Sequence, residues 1–455
     1  MPGWETFMQE SQPGAVEGLQ ELIRIPSISA LPEHSGDVTK AAECVADRLR
    51  AVGIEDVSIM PTGGHPVVYG QWLRAAGKPT ILLYGHFDVQ PVDPIELWDA
   101  GPFSAEIRDD RIYGRGASDM KGSLAALILA VEALLKGEGA LPVNVKFILE
   151  GQEEIGSPQL PDFVVARRDL LSCDLVISAD GQQYAVDQPS IEMGLRGLCA
   201  VEIDVRGPSR DLHSGSYGGA VQNPIHALVR LLDSMRGEQG DILVEGFYDD
   251  VVPLSNEDRR LMAKVPFDEE AYKRELGVKD LFGEAGYSPV ERKWARPTLE
   301  INGIFGGFQG EGTKTVLPSE AHAKITCRLV PNQEPDQVIA AIQHHVDRNQ
   351  QPGVEITSTP EGSGARPYLI PPDQWGNRAA REVLAELYGK APVYTRTGGS
   401  VPVCAIFLSE LGSYTVLFGF GAPDEPVHAP NEFWRLSSFD RARRAYSLLL
   451  HRLAA

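Results

Sequence analysis

Unbroken apolar runs of strand length recur along the chain, and polar residues with the chemistry of a site follow each one. Residues 79–85, 143–149, 173–181 and 414–421 are runs of this kind. Apolarity without alternation predicts strands buried on both faces, as in a parallel or mixed sheet covered by helices. Helical spacing fills the intervals. Val16, Leu19, Leu22 and Ile23 predict a helix over residues 14–25, which Pro26 ends. Val45, Leu49 and Val52 predict a second helix over 41–52. Residues 123–135 predict a third that is apolar almost throughout, and residues 375–387 a fourth.

Between residues 193 and 364 the pattern changes. Residues 200–205 and 321–330 alternate as half-buried strands, while 223–235 and 335–346 read as amphipathic helices. The order predicts a β-α-β-β-α-β-like layer of helices on a sheet, inserted into the first domain. Residues 240–295 are polar, acidic and partly helical, and the pattern gives them no place in that layer. The expected fold is α/β: a mixed-sheet domain of residues 1–192 and 365–455, with a two-layer α+β domain at 193–364.

A length of 455 residues exceeds what one core usually fills, which agrees with two domains. Asp plus Glu number 63 against 42 Lys plus Arg, a net charge of −21. That field repels nucleic acid and anionic membrane, so neither is an expected partner. Cys44, Cys173, Cys199, Cys327 and Cys404 are scattered singly, with no CxxC. This suits buried thiols in a reducing compartment and argues against a disulfide framework or a thiolate zinc site. No secretion-signal pattern opens the chain, and the apolar stretch 124–135 is too short to span a bilayer. The expected location is cytoplasmic.

The polar residues at the strand exits then acquire meaning. The run 79–85 delivers His86-Phe87-Asp88, and positions two apart in extended chain share a face, so one residue can bind a metal while the other orients it. The run 143–149 delivers Glu153-Glu154, read as neighbours on extended chain pointing opposite ways, one to bind and one to move protons. Alone, such a pair reads as a solvated turn. Asp180 ends a third run, His428 lies in the loop after a fourth, and Asp119 stands where a helix begins, a place that equally suits a helix cap. Gly114-x-Gly116 before a helix raises a dinucleotide site, but Asp119 holds the third glycine position, which excludes it. Two histidines with acids at strand exits match the ligands of a zinc or manganese pair.

These residues resemble the aminoacylase, glutamate carboxypeptidase and carnosinase superfamily of co-catalytic metallohydrolases. The resemblance is carried by Ile25-Pro26-Ser27-Ile28-Ser29, Gly85-His86-Phe87-Asp88-Val89-Gln90-Pro91, Gly114-Arg115-Gly116-Ala117-Ser118-Asp119-Met120-Lys121-Gly122, Glu150-Gly151-Gln152-Glu153-Glu154-Ile155-Gly156-Ser157 and Pro426-Val427-His428. Asp211-Leu212-His213-Ser214-Gly215 and Lys314-Thr315-Val316-Leu317-Pro318 look like the longer, carnosinase-type dipeptidases.

The resemblance implies two divalent cations, zinc first with manganese or cobalt as alternatives. His86 and Asp180 would hold one, Glu154 and His428 the other, and Asp119 would bridge them, with a cis peptide between Asp119 and Met120. Asp88 would bond His86, and Glu153 would be the general base. His213 would reach the partner subunit's site from the inserted lid domain, implying a homodimer through the lids. Arg328, with Thr315 and Ser400, would grip a substrate carboxylate, a role that suits a guanidinium fork. The implied activity is amide hydrolysis of dipeptides or similar small substrates with a free carboxylate. Thr397 stands where carnosinase-type enzymes have an acidic residue before Gly398-Gly399-Ser400, which keeps an N-acyl- or N-carbamoyl-amino-acid amidohydrolase as the alternative. A scaffold protein on the same fold should have lost Glu153 or a ligand, and none is missing.

Overall fold

The computed structural model describes residues 2–399 and 401–455. They form two compact units. One comprises Met1–Met193, Ile370–Thr395 and Val403–Ala455; the other comprises Gly194–Leu369 and Arg396–Pro402.

The first unit is built on a mixed sheet in the order Glu55–Met60, Val67–Trp72, Asn144–Glu150, Thr80–His86, Leu175–Ser178, Thr415–Leu417, Ser190–Leu195. Its centre is parallel: Thr80–His86 runs with Asn144–Glu150 on one side and Leu175–Ser178 on the other, and Thr415–Leu417 continues that direction. The flanking pairs are antiparallel. Every residue from Ile81 to His86 is buried, so both faces of that strand are covered, as its unbroken apolarity requires. Helix Gly122–Glu138 packs against Ser35–Val52 and Leu436–Leu453. It is buried on most of its circumference because its sequence offers no polar stripe.

The apolar runs 79–85 and 143–149 agree closely with observed strands, while 173–181 is a strand only over Leu175–Ser178 and 414–421 only over Thr415–Leu417. Residues 414–421 read as a single strand, yet the continuous ladder stops at Leu417 and is followed only by a single bridge from Gly421 to Gln182. Beyond Leu417 lies Gly419, where a Cβ would be 2.1 Å from the Gly181 carbonyl oxygen. That close approach brings the exits of two neighbouring strands together.

The second unit carries an antiparallel sheet in the order Thr298–Gly306, Glu320–Leu329, Gly197–Arg206, Glu355–Ala365. Helices Pro224–Asp233 and Pro335–Arg348 pack on it. Alternation assigns the faces: Cys199, Val201, Ile203 and Val205 join Ile325, Cys327 and Leu329 in the core with these helices. The stretch that the sequence pattern left unplaced forms short helices at Asn256–Met262, Glu269–Leu276 and Pro289–Ala295. Two begin with reciprocal caps, Ser255 with Asp258 and Ser288 with Glu291, which satisfy backbone donors at helix starts too short to stand on propensity. The five cysteines are free, and among the described residues no helix is long and apolar enough to cross a membrane.

Candidate metal centre and active site

Five predicted ligands meet at the carboxyl ends of the parallel strands, where open α/β sheets hold their ligands. Strand Thr80–His86 ends in His86, whose ring is fully buried. Its Nδ1 lies 3.2 Å from the Asp88 carbonyl oxygen and 3.4 Å from Asp88 Oδ1. Nδ1 therefore donates, and Nε2, 3.2 Å from Asp119 Oδ1, is left as the ligand atom. The other Asp119 oxygen, Oδ2, lies 3.1 Å from His428 Nε2, which is also 3.1 Å from Glu154 Oε2. One carboxylate thus faces both histidines. The Asp119–Met120 peptide is cis.

Two trios result, His86 with Asp119 and Asp180, and Asp119 with Glu154 and His428. Within each, the candidate ligand atoms lie within 4.8 Å of one another. Their protonation shows what the cluster lacks. Burial and the neighbouring Asp119 push Asp180 up to about 6. Burial, then the charges of Asp180, Glu154 and Asp119, push Glu153 well up against the opposing pull of His86. Hydrogen bonds to Asp119 and Glu154 hold His428 up to about 10. Three acids pushed up by burial and by one another, with Asp119 held down between two imidazoles, form a site short of positive charge. Glu154 Oε1 is buried with no hydrogen-bond partner among the described residues. Imidazole nitrogen, carboxylate oxygen and an orphaned buried acceptor fit divalent cations of the zinc or manganese kind.

The geometry corrects one step of the sequence reading. Glu153 and Glu154 are not neighbours on extended chain but begin a single 3₁₀ turn, Glu153–Ile155. Their separation comes from Asp88, whose buried carboxylate accepts the Glu153 N–H at 3.2 Å and the Glu154 N–H at 3.1 Å. Held so, Glu154 faces His428, while Glu153 Oε2 lies 3.9 Å from His86 Nε2. Gly151 lets the chain leave its strand into this turn, since a Cβ there would lie 2.6 Å from the Phe87 ring and 2.8 Å from Val38. His428 sits in a loop, as expected, at a φ of 61°.

Sequence reasoning gave no role to Gln90, whose Nε2 donates at 2.9 Å to both the carbonyl and Oε2 of Glu154. Its place four residues after His86 in a motif rich in ligands was the available signal. Glu150 was missed too: Tyr84 and Ser157 donate to its Oε1 at 2.7 and 2.9 Å, tying the strand to the end of the Glu153 turn.

The remaining candidates belong to the second unit, apart from Ser400, which lies outside the described residues. His213 pairs with Val316 across a two-strand ladder, and Ser214 N–H donates to the Thr315 carbonyl, so His213 and Thr315 are neighbours. His213 Nδ1 accepts the N–H groups of Gly215 and Ser216 at 3.1 and 3.3 Å, which leaves the exposed ring with Nε2–H as a donor. Arg328 is half-buried on strand Glu320–Leu329, opposite Leu198 and Thr298, and burial pushes its guanidinium down. Thr397 Oγ1 accepts the Gly399 N–H at 3.4 Å. A third acid-histidine trio, Glu202, Asp204 and His322, lies in this unit, but Asp204 already bonds His322 and Lys324 answers Glu202.

Residues 82–452 match the sequence profile of Peptidase family M20/M25/M40. The chain is 31% identical to a Cys-Gly metallodipeptidase dug1 of Schizosaccharomyces pombe, covering 97% of this chain and 95% of the relative. It is also 31% identical to the Beta-Ala-His dipeptidase of Homo sapiens, over 92% of this chain and 85% of that one. The crystal structure of an M20 family metallo-carboxypeptidase from Sulfolobus solfataricus superposes with a TM-score of 0.85 at 34% identity, covering 97% of this chain and 99% of the other.

Proposed function

This chain belongs to peptidase family M20/M25/M40, and from that premise we propose that it hydrolyses the amide bond of dipeptides, or of similar small substrates with a free carboxylate, in a metal-dependent reaction. The observation that carries this reading is Asp119, whose two oxygens face two histidines at the centre of an acid cluster. Two relatives described as dipeptidases support the substrate class.

His86, Asp119, Asp180, Glu154 and His428 would hold two divalent cations, zinc in first place with manganese or cobalt as alternatives. Such cations supply Lewis acidity, which polarises a scissile carbonyl and lowers the pKa of water. Glu153, beside the cluster and bound to nothing by a strong pair, takes the proton of the attacking water and returns it to the departing amine. His213 stabilises the oxyanion with its Nε2–H from the lid of a second copy, so the working form is a homodimer. Arg328, Thr315 and Ser400 take the substrate carboxylate.

A second reading, cleavage of N-acyl- or N-carbamoyl-amino acids, is favoured by one feature, Thr397 in place of an acid that could answer a free amine. One panel separates the two. Metal-stripped protein refilled with zinc or manganese is offered unblocked dipeptides beside N-acetyl and N-carbamoyl amino acids. Cleavage of free dipeptides, restored by metal, is the expected result. Activity confined to blocked substrates transfers the enzyme to the second reading, and turnover undiminished by chelation overturns both.

A further inference from the structure

Glu432 is fully buried and touches none of the metal-facing atoms, yet four donors converge on it. Oε1 accepts the N–H groups of Ser118 at 3.0 Å and Asp119 at 3.1 Å. Oε2 accepts the Gly116 N–H at 3.0 Å and Arg115 Nη1 at 2.7 Å. Its own carbonyl accepts the Gly114 N–H at 2.9 Å. The segment from Gly114 to Asp119 is thus an anion-binding nest filled by a side chain of the same protein. Gly116 takes the left-handed φ of 82° that aims these donors inward, and a Cβ there would lie 2.3 Å from Val89.

Arg115, itself 1% exposed, extends the clamp. Its guanidinium also donates to the Pro91 carbonyl at 3.0 Å, in the loop that leaves His86, and to the Ala429 carbonyl at 3.4 Å, next to His428. Strand Phe433–Arg435, paired with Arg111–Tyr113, sets the register that brings Glu432 to this place. One buried ion pair therefore joins the three segments that carry His86, Asp119 and His428. A buried pair of this kind contributes little net stability over an apolar filling, and what it does contribute is a single conformation.

We propose that Glu432, through Arg115 and the nest, is the positioning residue of the metal cluster, fixing the Asp119 carboxylate between His86 and His428. The inference rests on the metal-dependent reading above. Glu432→Gln tests it, because an amide offers one acceptor oxygen where the carboxylate offers two, and turns an N–H₂ toward donors. The expected variant is folded by circular dichroism, binds zinc or manganese roughly 10- to 100-fold more weakly in competition with a chelator, and loses kcat while KM stays near wild type. Glu432→Asp, which keeps charge and both oxygens, should recover part of the affinity. A lowered Tm with wild-type metal affinity and kcat makes Glu432 merely structural and overturns the proposal.

Should neither variant fold, hydrogen exchange of the wild-type protein decides. Amides over residues 114–121 should exchange as slowly as the sheet core, and rapid exchange there overturns the clamp. Metal affinity is read without substrate, so a protein that binds two ions yet cleaves nothing in the panel loses the reaction assignment while Glu432 remains testable. A wild type that binds no divalent ion removes both.

Discussion

Asp88 holds the two acids of the site by their backbones, its Oδ1 taking the Glu153 N–H and its Oδ2 the Glu154 N–H. The same carboxylate stands 3.4 Å from His86 Nδ1. The proposed general base and two of the proposed ligands are thereby referred to one buried group. Asp88→Ala should weaken divalent-ion binding by roughly 10- to 100-fold, the cost typical of losing a partner behind a ligand. Chelator competition checks this, and wild-type affinity in the variant would remove Asp88 from the site.

Glu153 is the residue assigned to proton transfer. Glu153→Gln should keep both ions and the fold while kcat falls by about 10²- to 10⁴-fold, the range of a positioned general base. Metal analysis beside steady-state kinetics checks it; a variant that turns over normally leaves the proton with some other group.

Gln90 bonds Glu154 twice, at its carbonyl and at the oxygen that faces His428. In Gln90→Ala the Glu154–His428 half of the cluster should lose its ion first. A stoichiometry near one ion per chain, where wild type holds two, is the expected reading; simultaneous loss of both ions would contradict it.

Much of this site was legible before any coordinate. The unbroken apolarity of residues 79–85 and 143–149 located two buried strands; that they run side by side and parallel, so that the residues after each share one edge, is what the structure adds. What was not legible was the backbone between a strand and its chemistry. Alternation holds only on extended chain, and the 3₁₀ turn at Glu153 exists because Asp88, 65 residues earlier, takes its N–H groups. No local pattern announces a partner at that distance. The three short helices of residues 256–295 are a different case. Their reciprocal caps, Ser255 with Asp258 and Ser288 with Glu291, stand in the sequence at the required spacing but went unread there, in a stretch recognised only as partly helical.

Glu150 gives the protein a pH dependence that can be isolated. Burial, opposed by hydrogen bonds from Tyr84 and Ser157 and reinforced by Asp88, pushes its carboxyl up to about 7 from the ordinary glutamate value of 4.5. A folded-state pKa above the unfolded one means stability that is full below pH ~4.5 and is lost as pH rises through ~7. Glu150→Gln keeps the neutral shape at every pH. The metal-free variant should therefore lose less Tm between pH 5 and 8 than the metal-free wild type does, and equal losses in the two would refute the assignment.

Gly151 has no room for a methyl group between Phe87 and Val38. Gly151→Ala should cost about 1–3 kcal/mol by overpacking and shift the Glu153 turn, lowering both Tm and kcat. Thermal unfolding beside kinetics checks this, and an unchanged protein would show that the turn can yield.

Strand Thr415–Leu417 lies inside the sheet, between Leu175–Ser178 and Ser190–Leu195, although more than 200 residues of chain separate it from either. A chain still being synthesised at residue 400 has the other strands of that sheet available but a gap where this one belongs, with Leu175–Ser178 presenting an open edge. Closing the gap means paying the loop entropy of the whole intervening unit in one late step. The same step brings in His428, so sheet and cluster are completed together. A chain cut short before residue 415 therefore lacks a strand from the middle of its sheet and His428 from its acid cluster at once.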